Sequence, residues 1–388
     1  MKILHTSDWH LGHVLYNHDR TEEQQSMLEQ IRSIVETHKP DLFLLCGDVY
    51  HTTQPSSSVQ TMFAESILKI HQANPEMQIV ITAGNHDSAI KHEIFRKPWQ
   101  YLNVHAIGSI NRNNIFDQII EIPNKAFVIA IPYTYERNIP EGFYQSLLQE
   151  VEKRNTNNLP VIMSVHTTIS GSDFSGHERA DEKVVGGIES ISLENIGEGF
   201  DYLALGHIHK PQFIHNSEKK ARYCGTPLPI TFDETYQHSI SLVEIGSHGE
   251  IPKVEIINIE NPHPLVNLPE EGFQTWDKVK ELLKEYPADQ QDYIRLNIQV
   301  EDLLPATVKL EIENISREKQ YKFCCVNIER TNHSHEEIKS LSVEEFQAEA
   351  PIEIATKYAQ QIGGVFDEEM QGLFQEVLNI IEEDNRNN

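Results

Sequence analysis

Met1-Lys2-Ile3-Leu4-His5-Thr6-Ser7-Asp8-Trp9-His10-Leu11-Gly12 opens the chain, and its reading decides the fold. Lys2–Thr6 has the pattern of a short buried strand, and a carboxylate and an imidazole follow it two residues apart. The arrangement recurs downstream. Leu42–Cys46 is an apolar run ending in Gly47-Asp48-Val49-Tyr50-His51, and Gln78–Thr82 is closed by Ala83-Gly84 and followed by Asn85-His86-Asp87. Val161–Val165 delivers His166, and Tyr202–Leu205 delivers Gly206-His207-Ile208-His209. Phe127–Ile131 is a further strand. Thr21–Thr37 carries Met27, Ile31, Ile34 and Val35 at helical spacing, and Ser58–Gln72 carries Met62, Ile67, Leu68 and Ile70. Near-continuous apolar strands alternating with helices predict an α/β domain whose strands are covered on both faces. Such sheets gather functional groups at the carboxyl ends of their strands.

The residues gathered there have the chemistry of a metal site. In extended backbone, Asp8 and His10 would point to one side, as would His207 and His209. The glycines at 47, 84 and 206 permit sharp exits from the strands and close backbone approach. Carboxylate, imidazole and amide oxygen without thiolate suit Mn²⁺, Fe²⁺ or Zn²⁺. Asp8, His10, Asp48, Asn85, His166, His207 and His209 make seven candidate ligands, too many for one tetrahedral ion. They suit two ions sharing a bridging carboxylate, and pairs about 3.5–4 Å apart are a standard arrangement for phosphodiester hydrolysis. His86 remains as an imidazole able to stabilise or protonate a leaving oxygen, with Asp87 beside it to orient the ring.

Taken singly, these motifs have plainer readings. Asp-x-His is more often a solvated turn than a ligand pair, Gly-Asn-His-Asp could be a tight turn with Asn in a left-handed conformation, and Gly-His-x-His could be a surface pair. Five of them in order, each after an apolar run, carry the inference.

Bulk properties bound the rest. The 388 residues suffice for two or three domains, and 39% apolar with 23% charged residues describes a globular chain. No run of about 18 apolar residues is present, so no membrane span is expected, and the N-terminus has no signal-peptide pattern. Four cysteines, two of them the adjacent Cys324 and Cys325, make no disulfide framework; a reducing cytoplasm is expected. The net charge of -27 argues against a strong intrinsic grip on nucleic acid. The acidity is uneven, however. Thirteen Asp and Glu against three Lys and Arg between Glu336 and Asn388 put a net -10 far from the motifs, and bound cations would add positive charge.

Asn261-Pro262-His263-Pro264 marks a change of texture, read as a domain boundary. Beyond it, Trp276–Tyr286 and Pro305–Arg317 read as helices and Tyr293–Val300 and Tyr321–Glu329 as strands. The expected organisation is an α/β domain over 1–260, a small α+β module over 261–330, and an acidic linker with C-terminal helices over 331–388. In the last part Phe366, Met370, Leu373, Phe374, Val377, Leu378 and Ile381 line one face of a helix.

The ordered set Asp-x-His, Gly-Asp, Gly-Asn-His-Asp, His, Gly-His-x-His resembles the calcineurin-like metallophosphoesterase superfamily. Met1–Gly12, Gly84–Ser88, Ala204–His209 and Arg222-Tyr223-Cys224-Gly225-Thr226-Pro227-Leu228-Pro229 resemble, within it, the SbcD family of nuclease subunits that process double-strand breaks. The specific motifs span about residues 1–245. The resemblance implies an α-β-β-α sandwich with a capping domain and a C-terminal helical tail. It implies that Asp8, His10 and His209 hold one ion, usually Mn²⁺, and Asn85, His166 and His207 a second. Asp48 would bridge the two, and His86 would be the catalytic histidine. His51 matches the eukaryotic and archaeal branch, where it bears on exonuclease action; some bacterial members have Asp there. The resemblance further implies DNA as substrate, a homodimer formed through helices of the nuclease domain, and a tail docking on the coiled-coil root of an SbcC-type ABC ATPase. Two other readings stand beside it: a stand-alone phosphodiesterase for small esters, and a non-catalytic scaffold of the same fold.

Overall fold

Alternate residues of the long apolar strands feed different cores, and this makes two sheets stack. The computed structural model describes residues 1–176, 190–301, 303–305, 307–331, 370–372 and 374. In chain order the elements begin with β1 (Lys2–Thr6), a hairpin β2–β3 (Val14–Leu15, His18–Asp19), α1 (Thr21–His38), β4 (Leu42–Cys46), α2 (Ser57–Ala73), β5 (Gln78–Thr82) and α3 (Ala89–Gln100). They continue with β6 (Val104–Ile107), β7 (Ile119–Ile122), β8 (Ala126–Ile131), α4 (Phe143–Arg154), β9 (Val161–His166), α5 (Leu193–Ile196) and β10 (Tyr202–Gly206). Then follow β11 (Gln212–Phe213), β12 (Ala221–Tyr223), β13 (Ser239–Glu244) and β14 (Lys253–Asn258). One six-stranded sheet has the order β14-β13-β1-β4-β5-β6, the other β11-β12-β10-β9-β8-β7. The strands that end at the candidate ligands are parallel neighbours: β1, β4 and β5 in the first sheet, β9 and β10 in the second.

Between the sheets lie Ile3, Leu42, Leu44, Cys46 and Val80 from the first and Ala126, Val128, Ala130, Ile162, Tyr202 and Ala204 from the second. The opposite parity faces outward. Leu4, Phe43, Leu45, Ile79 and Ile81 pack with Met27, Ile31 and Val35 of α1 and Phe63, Ile67 and Ile70 of α2. Phe127, Ile129, Met163, Val165, Leu203 and Leu205 pack with Phe143, Leu147 and Val151 of α4. The layers are therefore helix, sheet, sheet, helix. Helix α2 starts where the Ser56 hydroxyl accepts the Val59 N–H, and α1 stops at Lys39 in left-handed backbone (φ 46°). Element ends differ from the sequence reading by one or two residues. Strands β6, β7, β13 and β14 go unnoticed in it, being short, alternating, or on an exposed edge.

The remaining elements of this unit are β15 (Leu265–Leu268), α6 (Trp276–Glu285), β16 (Tyr293–Val300), α7 (Thr307–Ser316) and β17 (Lys322–Arg330). The strands form a parallel sheet in the order β15-β16-β17, with Val279, Leu283, Ile294, Leu296, Ile298, Val308 and Ile312 in their own core. Met1–Arg330 is one compact unit. Just before Asn261-Pro262 the Gln30 side chain donates to the Glu260 carbonyl (2.8 Å) and accepts its N–H (2.9 Å). Thr331–Asn388 forms a second unit. Most of the Thr331–Glu337 linker, and Phe366, Leu373, Val377, Leu378 and Ile381 of the apolar stripe, lie outside the described residues. Among the described residues no helix is long and apolar enough to cross a membrane.

Candidate metal centre

The strand exits run side by side before they release their ligands. Asp8 N–H donates to the Gly47 carbonyl (3.0 Å), His10 N–H to Asp48 (3.0 Å), Leu11 N–H to Val49 (2.9 Å), and His51 N–H returns to Leu11 (3.0 Å). The backbone is not the extended one expected. Asp8 (φ 53°), His10 (φ 45°), Asp48 (φ 48°) and His207 (φ 103°) all have positive φ. Left-handed backbone at non-glycine residues costs of order 1–3 kcal/mol each and persists where packing imposes it. These four side chains share one cavity because the chain twists at each of them, and not because of strand alternation.

Two groups of donor atoms result. In Asp8, His10 and His209 the donor atoms lie within 4.8 Å of one another, and so do those of Asp48, His166 and His207. His10 Nε2 is 3.2 Å from His209 Nε2, and Asn85 Oδ1 is 3.0 Å from both His166 Nε2 and His207 Nδ1. Asp48 Oδ2 stands between the groups, 3.8 Å from His10 Nε2 and 3.4 Å from His166 Nε2. Metal–ligand bonds of about 2.1 Å put neighbouring donors roughly 3.0 Å apart in an octahedron and 3.4 Å apart in a tetrahedron. The spacings of 3.0, 3.2 and 3.4 Å match that range, and the 3.8 Å between Asp48 Oδ2 and His10 Nε2 is wider. The residues therefore fit a pair of divalent cations.

Outer contacts fix which nitrogen faces inward. His166 Nδ1–H donates to the Cys46 carbonyl (2.8 Å) and His209 Nδ1–H to Glu234 Oε1 (2.9 Å), which turns both Nε2 atoms to the cavity. The Asp8 carboxylate is held by the Ser7 hydroxyl (2.5 Å) and the His207 N–H (3.1 Å to each oxygen).

Burial shapes the charges. It pushes the Asp8 carboxyl up, aided by Asp48, and drives the His10 imidazole well below its usual value. Burial also opposes charge on Asp48 and His166, but here each supports the other's: His166 holds the Asp48 carboxyl well below the usual range, and Asp48 raises the imidazole to about 9. In the metal-free centre His166 thus keeps its proton at neutral pH, and coordination must displace it. Metal uptake at pH 7.5 should release about one proton, and affinity should rise about tenfold per pH unit between 7 and 9 from this group. Calorimetric titration in buffers of different ionisation enthalpy measures both; affinity independent of pH over that range would refute the pairing.

The glycines act by closeness. A Cβ on Gly206 would sit 1.8 Å from the Cys46 carbonyl oxygen and 2.9 Å from His166 Nδ1, at the point where β10 of one sheet meets β4 of the other. Gly206→Ala should prise that contact apart, costing about 1–3 kcal/mol in stability by overpacking. It should also lower metal content, read by thermal unfolding with and without chelator.

His86 lies beside the cavity, its ring centroid 4.9 Å from that of His10 and its Nδ1 3.0 Å from the His51 carbonyl. Asp87 does not orient that ring. Its carboxylate accepts the N–H groups of Val49 (3.1 Å), Tyr50 (3.0 Å) and Gly84 (2.9 Å), and His92 Nε2 is 3.6 Å away. Asp87 thus ties the loop bearing Asp48 and His51 to the loop bearing Asn85 and His86. His51 stacks on His86 (5.7 Å), and burial together with His86 lowers its imidazole to about 4. His10, His51 and His86 bring donor atoms within 4.8 Å of one another as a third group. Tyr133, 6.1 Å from His166 and 6.2 Å from His207, and Glu234 are neighbours the sequence reading misses. Glu234 is one of 59 acidic residues and lies in a loop with no strand or helix pattern to single it out.

The family model for calcineurin-like phosphoesterases matches residues 1–211. The chain belongs to this family and is a metal-dependent phosphodiester hydrolase. Within that class it is similar to the SbcD subunit of nuclease SbcCD from Bacillus subtilis (strain 168), 28% identical with 99% of both chains covered. It is 29% identical to the protein of the same name from Rhodobacter capsulatus, over 70% of this chain and 72% of the relative. To the Escherichia coli K12 protein it is 29% identical, over 69% and 70%.

Proposed function

We propose that this chain is the nuclease subunit of a two-component DNA-processing complex, working with an SbcC-type ATPase. The observation that carries the proposal is the pair of donor groups meeting at Asp48, with His86 at their rim. Asp8, His10 and His209 would hold one cation, Asn85, His166 and His207 the other, and Asp48 would belong to both. Mn²⁺ is the ion proposed. Bound there, the pair would supply Lewis acidity toward a phosphodiester and acidify water. The chain's own residues do the rest. His166 and His209 are held as acceptors by the Cys46 carbonyl and Glu234, while His86 is fixed through the His51 carbonyl to pass a proton to the leaving oxygen. His51 supports exonuclease action through its contact with His86.

The full-length similarity to the SbcD subunit of nuclease SbcCD supports DNA as substrate and an ATPase as partner. A net charge of -27 supports a division of labour in which the partner supplies much of the grip on phosphates. In this reading residues 1–260 are the nuclease domain, dimerising through its helices, 261–330 the capping domain, and 331–388 the segment that docks on the ATPase. The activities proposed are exonuclease on double-stranded ends and endonuclease on single strands and hairpins. The test supplies the purified chain with Mn²⁺ and each of those DNAs, with and without EDTA, and with bis-p-nitrophenyl phosphate as a small diester. Mn²⁺-dependent cleavage of DNA is expected. Turnover of the small diester with every DNA left intact would favour a stand-alone phosphodiesterase, and no turnover of either would favour a scaffold.

A further inference from the structure

Strand β16 is buried on both sides, and its two faces do different things. Ile294, Leu296 and Ile298 enter the core of the Leu265–Arg330 module, while Tyr293 and Arg295, two residues apart, face the larger domain. Tyr293 packs with Leu15 and Phe232 and donates its hydroxyl to Glu23 (2.5 Å). Arg295 is only 7% exposed. Its guanidinium lies 5.2 Å over the Phe232 ring and donates to Asp233 Oδ1 (2.7 Å), the Phe232 carbonyl (3.4 Å) and Asn267 Oδ1 (2.7 Å). Asn267, on β15, donates to the same Phe232 carbonyl (3.2 Å). The module thus grips Phe232-Asp233 from both strands.

The next residue is Glu234, whose side chain is fully buried. Oε1 accepts His209 Nδ1–H at 2.9 Å, and Oε2 accepts the Ile230 N–H at 3.2 Å, with His238 Nε2 3.9 Å away. A carboxylate with both oxygens engaged cannot follow a displaced backbone without releasing one of its partners. We infer that Glu234 is the positioning residue for the ligand His209, and that Arg295 fixes Glu234 in place. The seating of the Leu265–Arg330 module then sets the cation affinity of the Asp8–His10–His209 group, and not that of the Asn85–His166–His207 group. His166 has its own orienting partner, the Cys46 carbonyl at the end of β4. The inference rests on the two-cation reading above.

The experiment is a Mn²⁺ titration of the full chain, with free ion followed by electron paramagnetic resonance and folding checked by thermal unfolding in EDTA. Glu234→Gln keeps shape and removes charge. It should weaken one of the two ions about 10–100-fold, as loss of such a partner commonly does, and leave the other within about threefold. Arg295→Met touches no ligand yet should weaken the same ion by a smaller factor, about three- to tenfold. Glu234→Asp should fall between wild type and Glu234→Gln, and with Arg295→Met it decides the matter if Glu234→Gln does not fold. Two ions bound with wild-type affinities in the Glu234 variants, or an Arg295→Met chain that weakens both ions equally or neither, would overturn the inference. A wild type that takes up no pair of ions would instead overturn the metal reading, and this inference with it.

Discussion

Replacing His86 with alanine is expected to lower DNA cleavage by about 10²–10⁴-fold, the usual range for loss of a general acid, while both cations still bind. The structure separates the two effects. The part of His86 that supports a ligand is its backbone: its N–H donates to Asp48 Oδ1 at 2.8 Å, and alanine keeps that bond. The imidazole Nδ1 lies 3.0 Å from the His51 carbonyl, and the proposed task of the ring is to give the leaving oxygen its proton. Neither donor group that meets at Asp48 needs the ring. Cleavage rate under single-turnover conditions and Mn²⁺ stoichiometry by titration, on the same preparation, check the claim. A chain that has lost an ion along with its activity would make His86 a ligand, as its grouping with His10 and His51 allows. Undiminished cleavage would remove it from the chemistry. A poor leaving group should show a larger loss than an activated one, since the proton matters only where the departing oxygen is strongly basic.

Much of this centre is legible in sequence because each ligand follows a run that can only be a buried strand. Leu42–Cys46 and Tyr202–Gly206 are apolar throughout, and each presses one parity of side chains into the inter-sheet core and the other under helices. Position in the fold follows from that, and ligand chemistry from the residue types at the exits. What stays hidden is whatever depends on the path of the chain between ligands. The positive φ of Asp8, His10 and Asp48 is imposed by the strand-exit loops lying together, and a single sequence carries no sign of it at residues other than glycine. Asp87 looks like a partner for the adjacent His86, yet its carboxylate turns to three backbone N–H groups, two of them more than 35 residues away. Glu234 reaches His209 from 25 positions further along the chain, past β11 and β12. The alternation of Tyr293–Val300 is legible as a strand, but that its polar side meets Phe232 and Asp233 is a tertiary fact.

The other large effect belongs to Asp48→Asn, which keeps size and shape and removes the one charge shared between the donor groups. Cleavage should fall by at least about 10³-fold, since bridging charge contributes several kcal/mol to holding and using two cations. The metal-free protein offers a second, independent signature. In the wild type His166 is raised to about 9 because Asp48 Oδ2 lies 3.4 Å from its Nε2 and outweighs the penalty of burial. A group raised on folding stabilises the native state below its unfolded value, near 6.5, and that contribution disappears as pH climbs through its folded value. The metal-free wild type should therefore lose thermal stability between about pH 6.5 and 9. In Asp48→Asn the main charge that opposes burial is gone and only Asp8 and the Cys46 carbonyl still raise His166, so the imidazole should fall and this decline should shrink. The amide can still accept the His86 N–H through its oxygen, so the loop keeps its shape and a change of fold does not explain the result. Unfolding midpoints across that pH range in EDTA, with the His166 ring titration followed by nuclear magnetic resonance, test the pairing without any nuclease assay. Parallel wild-type and Asp48→Asn curves would mean that His166 and Asp48 do not share a proton-linked interaction, and the bridging role of Asp48 would lose its electrostatic basis.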